Sequence, residues 1–105
     1  MTTVSTHVLD TASGVPASGI PVQLIRLHDG GEEVVGSGVT DRDGRVADLG
    51  LDVDPGTYEV RFDTSGYGGA FYPVVKVTAR LDSAAPHYHL PLLLSPYGYT
   101  TYRGS

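Results

Sequence analysis

Glycine and proline interrupt this chain at short intervals, and this limits its possible folds more than any other feature. There are 14 Gly and 7 Pro in 105 residues. Both disfavour a helix interior, and the runs between them are short and rich in β-branched side chains. The pattern predicts an all-β chain cut by turns. Strands are expected over residues 3–10, 20–27 and 33–39, from Arg45 onward, and over 57–63, 73–80, 87–94 and 97–102. Asp29-Gly-Gly31, Asp41-Arg-Asp-Gly44 and Asp54-Pro-Gly56 are turn signals between them, and Gly14 to Ala17 is a turn-rich connection. Residues 64–70 are glycine-rich and read as a loop or a single helical turn. Tyr58, Val60 and Phe62 alternate with Glu59 and Arg61, as in a half-exposed antiparallel strand. About eight short strands with regular turns point to a two-sheet antiparallel β-sandwich. A single domain over residues 1–105 is expected, with at most one short helix.

The last nineteen residues, His87 to Ser105, are unusually rich in chemistry. They hold two of the four histidines, four of the seven tyrosines, an arginine and the apolar run Leu92-Leu-Leu94. A tail of this composition is expected to be packed rather than frayed. His, Tyr and Arg together supply a titratable base, phenol donors and a fixed cation.

Charge and composition exclude several classes of function. The net charge is −5 and Lys76 is the only lysine, so no basic patch for nucleic acid is present. No run approaches the roughly 20 apolar residues of a membrane span. The N-terminus lacks the basic start and apolar core of a signal peptide. Cysteine is absent, which rules out thiolate and disulfide chemistry and fits a reducing, cytoplasmic setting. No Gly-x-Ser-x-Gly elbow and no phosphate-binding glycine loop occur. Asp41-x-Asp43-Gly44 lacks the later ligands of a calcium loop.

His87 and His89 are two apart on an expected strand and so share one face. Three readings stay open for them: interface histidines, a metal pair completed by His7, or a general base held by its neighbours. His7 lies in mid-strand, followed by Val8 and Leu9, a common setting for a packed structural histidine. Arg45 follows a tight turn; it is either a solvated hairpin arginine or a cation facing a cleft.

At these residues the chain resembles a known family. Ser5-Thr-His-Val-Leu-Asp-Thr11 with Gly14-x-Pro-Ala17 resembles the opening of the transthyretin-like proteins. Thr40-Asp-x-Asp-Gly-Arg45, Phe71-Tyr-Pro73 and the tail ending Tyr102-Arg-Gly-Ser105 resemble the 5-hydroxyisourate hydrolase branch. Thr100 and Leu90 stand where Ser and Val are more usual. The resemblance implies hydrolysis of 5-hydroxyisourate in urate breakdown, without a cofactor or metal. It implies a homotetramer with active sites at subunit interfaces. His7, Arg45 and His89 would be catalytic, and His7, Arg45, Tyr102 and Ser105 would bind substrate. His87 and Arg103 would support them from behind. The competing expectations are a small-molecule carrier, a structural β-sandwich and a metal-dependent hydrolase.

Overall fold

A computed structural model describes residues 2–105 apart from Gly69 and Ser83. Ten strands form: β1 Thr3–Asp10, β2 Val15–Pro16, β3 Pro21–His28, β4 Gly31–Val39, β5 Arg45–Gly50, β6 Gly56–Asp63, β7 Val74–Leu81, β8 His87–His89, β9 Leu92–Ser95 and β10 Gly98–Thr101. They make two sheets. One is ordered β4-β3-β6-β7; the other is built around β1, which pairs with β2, β5, β8 and β9, with β10 outside β9. Pairing is antiparallel except where β1 runs parallel to β8 and to β9. The expected two-sheet sandwich is therefore present, and no described residue is helical. Residues 64–70 contain turns only, with Gly69 outside the described set.

The count of ten rather than eight has local causes. Val15–Pro16, expected as part of a turn, makes a two-residue pairing with Leu9 and Asp10. The expected strand over residues 87–94 divides into β8 and β9 at Leu90-Pro91. Proline has no N–H to give the ladder. The break is bridged on both sides: the Leu90 N–H donates to the Ser5 carbonyl at 3.0 Å, and the Thr6 hydroxyl donates to the Leu90 carbonyl at 2.6 Å. Both halves thus stay aligned on β1.

Alternation decides which face is buried. Val4 and Val8 of β1, Leu24 of β3, Val60 and Phe62 of β6 and Leu92 and Leu94 of β9 meet between the sheets. Each fully buried side chain of this size contributes about 1.5–3 kcal/mol relative to exposure. On the other face of β6, Glu59 departs from the half-exposed expectation: it is buried, because Arg61 Nε donates to Glu59 Oε2 at 2.7 Å and folds over it.

The turn before β5 places Arg45. The Asp41 carboxylate accepts the N–H groups of Asp43 and Arg45 at 2.9 and 3.0 Å. Gly44 closes this turn at φ 75°, and a Cβ there would lie 2.4 Å from the Val8 carbonyl oxygen. Only glycine meets both demands. The chain beyond β10 folds back, and the Gly104 N–H donates to the His89 carbonyl at 2.8 Å. The expectation of a packed tail holds for residues 87–96; beyond them the chain is tied down at Gly104 but mostly exposed.

Candidate active site

Period-2 alternation turns Val4, Thr6 and Val8 of β1 into the core and Thr3, Ser5 and His7 to the opposite face. The parallel register sets Thr3 beside His87 and Ser5 beside His89. On the other side of β1, His7 is paired with Arg45. Four histidine or arginine side chains from three strands therefore share the outer face of one sheet. An open cleft of about 420 Å³ lies there, lined by Ser5, Thr6, Arg45, Ala47, His87, His89 and Ser105.

Hydroxyls organise the imidazoles. Ser5 Oγ lies 2.8 Å from His87 Nε2 and 2.8 Å from His89 Nδ1. Thr3 Oγ1 lies 2.5 Å from His87 Nδ1. Behind His89 the tail backbone passes so close that a Cβ on Gly104 would be 2.6 Å from His89 Cδ2. The ring is thus held at one edge by Ser5 and on its flank by Gly104.

The electrostatics favour a neutral His89. Burial lowers its pKa below the ordinary 6.5, and the proximity of His7, His87 and Arg45, which disfavours a second positive charge there, lowers it further. The Asp41 carboxyl is held below its ordinary 3.8, first by the Arg45 N–H, with smaller contributions from the Asp43 N–H and the charges of Arg45 and His7. A neutral imidazole beside a guanidinium can accept a proton while the cation faces a developing negative charge.

Not every expected site residue joins this group. Arg45, His87, His89 and Ser105 line the cleft. His7 is not among the lining residues; it is half-buried and paired with Arg45, which is. Tyr102 is 55% exposed and lies off the lining. Arg103 turns away to place its guanidinium carbon 4.7 Å from the Tyr88 ring centroid, a cation–π contact. Tyr88 in turn donates to the Asp82 carboxylate at 2.8 Å. Among the described residues, no three His, Asp or Glu side chains gather as a metal-ligand set. Sequence reasoning missed Thr3 and Ser5 as members of the site. Their spacing from His7 puts all three on one face, but the partner they serve is more than 80 residues away.

A larger cleft of about 520 Å³ opens on the other sheet, between Pro21, Val39, Arg61 and Val74. Its arginine is already engaged by Glu59 and Glu32. It offers no base beside a free cation.

A model of the HIUase/transthyretin family matches residues 4–104. The chain belongs to this family. A 5-hydroxyisourate hydrolase of Halalkalibacterium halodurans is 43% identical over 115 residues, covering 97% of each chain. Among solved structures, Klebsiella pneumoniae 5-hydroxyisourate hydrolase superposes with a TM-score of 0.87 at 32% identity, over 100% of both chains. Sea bream transthyretin in complex with thyroxine gives 0.88 at 32% identity, over 96% of this chain and 93% of the other. The HIUase/transthyretin backbone is thus shared by hydrolases and by a thyroxine-binding protein. The side chains in the cleft, rather than the fold, must distinguish the two.

Proposed function

We propose that this chain hydrolyses 5-hydroxyisourate to 2-oxo-4-hydroxy-4-carboxy-5-ureidoimidazoline in urate degradation, and that His7, Arg45 and His89 carry the reaction. The observation that supports it best is that His89, held by Ser5 at Nδ1, and the fixed positive charge of Arg45 line the same open cleft. A carrier needs no such base, whereas hydrolysis of a ring amide needs both groups. The hydrolase relatives, which match nearly the whole chain, support the same reading.

The step is attack of water on a ring carbonyl. His89 Nε2 takes one proton from the water while its oxygen bonds to the carbonyl carbon. The C=O electron pair moves onto oxygen, where Arg45 stabilises the negative charge. The oxyanion pair then re-forms C=O as the C–N bond breaks, and the proton taken up by His89 passes to the leaving ring nitrogen, with His7 sharing in the transfer. Substrate is held by His7 and Arg45, and by Ser105 at the cleft. No metal or cofactor enters this scheme.

Tyr102 enters through assembly. We place it among the substrate-binding residues of a homotetramer whose sites lie where subunits meet. Three observations support this. The cleft is open, Tyr102 is exposed, and an uncovered aromatic row links Tyr97, Phe71, Tyr72 and Tyr99, with centroid separations of 6.4, 5.1 and 5.4 Å. His87 and Arg103 hold His89 and the tail from behind. A cysteine-free chain suits the reducing cytoplasm.

The test is to generate 5-hydroxyisourate from urate with urate oxidase and follow its ultraviolet decay with and without this protein. Marked acceleration over spontaneous decay is expected. Decay at the spontaneous rate with folded protein would overturn the reading in favour of a carrier.

The pH profile gives a second check. Because the His89 pKa is lowered, the imidazole stays neutral as pH falls through 6.5 and is protonated only below that value. The acid limb of kcat/KM, which reports the free enzyme, should therefore lie below 6.5. A limb at or above that value would remove His89 from the role of base.

A further inference from the structure

His89 cannot choose its own tautomer. A neutral imidazole carries its proton on Nδ1 or on Nε2, and the hydrogen bond made by one nitrogen settles the other. His89 Nδ1 is bound to Ser5, while Cδ2 is packed against Gly104. Nε2 is the nitrogen left for whatever enters the cleft. The state of Nε2 therefore depends on which way the Ser5 hydroxyl points.

Ser5 has one hydroxyl proton and two imidazole nitrogens to serve, each at 2.8 Å. With both rings neutral, one nitrogen must receive that proton and the other must donate its own. Two patterns satisfy this. In the first, His89 Nδ1–H donates to Ser5, Ser5 O–H donates to His87 Nε2, and His87 Nδ1–H donates to Thr3 Oγ1. His89 Nε2 is then bare. In the second every bond is reversed, and His89 Nε2 carries the proton and cannot act as a base.

Only the first pattern serves both states of a working base. When His89 Nε2 accepts a proton, the imidazolium must donate from Nδ1 as well, and Ser5 already accepts there. No hydrogen bond in the chain has to turn over. In the second pattern Ser5, His87 and Thr3 would all have to reorganise. Groups that need no rearrangement during reaction are the ones that lower barriers.

We propose that Ser5 is a positioning residue that fixes the tautomer of His89 through the hydrogen-bonded chain Thr3–His87–Ser5–His89, leaving Nε2 as the basic nitrogen in the cleft. This rests on the reading of His89 as the base, and it assigns His87 its purpose: to take the Ser5 proton in the required direction. Loss of an orienting partner of this kind costs about 10–100-fold for metal-bound imidazoles, and a similar loss is expected here.

The test combines ring nitrogen NMR with kinetics. In the wild-type protein above the His89 pKa, the 15N shifts of His89 should show a protonated Nδ1 and a bare Nε2; the opposite pattern overturns the proposal without any variant. In Ser5→Ala, His89 should become a mixture of tautomers, and kcat should fall about 10–100-fold with KM unchanged. Ser5→Thr, which keeps a hydroxyl, should restore the Nδ1–H tautomer and most of kcat. A folded Ser5→Ala protein with the wild-type tautomer or the wild-type kcat would overturn it. If the wild-type protein fails to accelerate 5-hydroxyisourate decay, the function reading falls, while the ring spectra still decide the role of Ser5.

Discussion

Replacing His89 with alanine should slow hydrolysis of 5-hydroxyisourate about 10²–10⁴-fold, the usual contribution of a positioned general base. The fold should survive the change. His89 is only half-buried, and its two strand contacts, the β1 pairing and the Gly104 N–H, are made by its backbone. What is lost in structural terms is one hydrogen bond to Ser5, worth about 1 kcal/mol, and the packing of a half-buried ring against Gly104. Rate and stability should therefore separate: a large fall in kcat with a melting temperature close to wild type. The measurement is steady-state decay of 5-hydroxyisourate, corrected for its spontaneous rate, beside a thermal melt by circular dichroism. A full rate in His89→Ala would move the role of base to His7, which is paired with Arg45 on the same face. A purely structural histidine predicts the reverse, with the melt shifted and the rate per folded molecule unchanged.

The largest effect on stability is expected far from the site, at Gly36. This residue lies in β4 of one sheet, yet its backbone faces β5 of the other. A Cβ built there would sit 1.8 Å from the Leu49 carbonyl oxygen and 3.0 Å from its carbon. Both neighbours are backbone, so no side chain can swing aside. Relief requires the two sheets to part at their closed edge, where Gly38 also meets Val46 with no room for a side chain. Overpacking of well-packed sites costs about 1–3 kcal/mol, and a backbone-to-backbone clash belongs at or above the upper end. For a protein of this size, 3 kcal/mol corresponds to a fall of roughly 10–20 °C in Tm. Gly36→Ala should thus melt far below wild type, or fail to accumulate as folded protein. A melt within a few degrees would mean that β4 and β5 do not approach so closely in solution.

Much of this architecture was legible from residue patterns, for local reasons. The alternation of Tyr58, Val60 and Phe62 was visible because a strand with one face in the core must alternate, and all three are buried. The turn before Arg45 was visible because an Asp side chain and a left-handed glycine have few other uses together. The division of residues 87–94 into β8 and β9 departs from the expected single strand because Pro91 breaks the ladder within an otherwise strand-forming run. The burial of Glu59 could not be read, since it depends on Arg61 lying over it. In the site, His7, Arg45 and His89 stood out by residue type and by family resemblance. Ser5 and Thr3 did not, because a hydroxyl gains a role only from the partner that strand register sets beside it. Tyr102 was expected near the chemistry, and within one chain it stands apart from the cleft.

The central position of β1 has a consequence for the order in which the molecule forms. The β4-β3-β6-β7 sheet is made of neighbours in sequence, β3 with β4 and β6 with β7, with only β4 and β5 between β3 and β6, so it can form early. The strand β1 has to wait for β8 and β9, whose pairings with it, such as Thr3 with His87 and Val8 with Leu92, each span 84 residues. Such distant pairings form slowly, because a long loop must close before any contact compensates it. Until then β1 presents an unpaired edge, and open strand edges are where growing chains adhere to one another. The face that carries the cleft is completed by the same late event, when His87 and His89 settle along β1. A chain that stalls before that point would be inactive and prone to aggregate, so loss of activity and loss of solubility should arise together in variants that delay this closure.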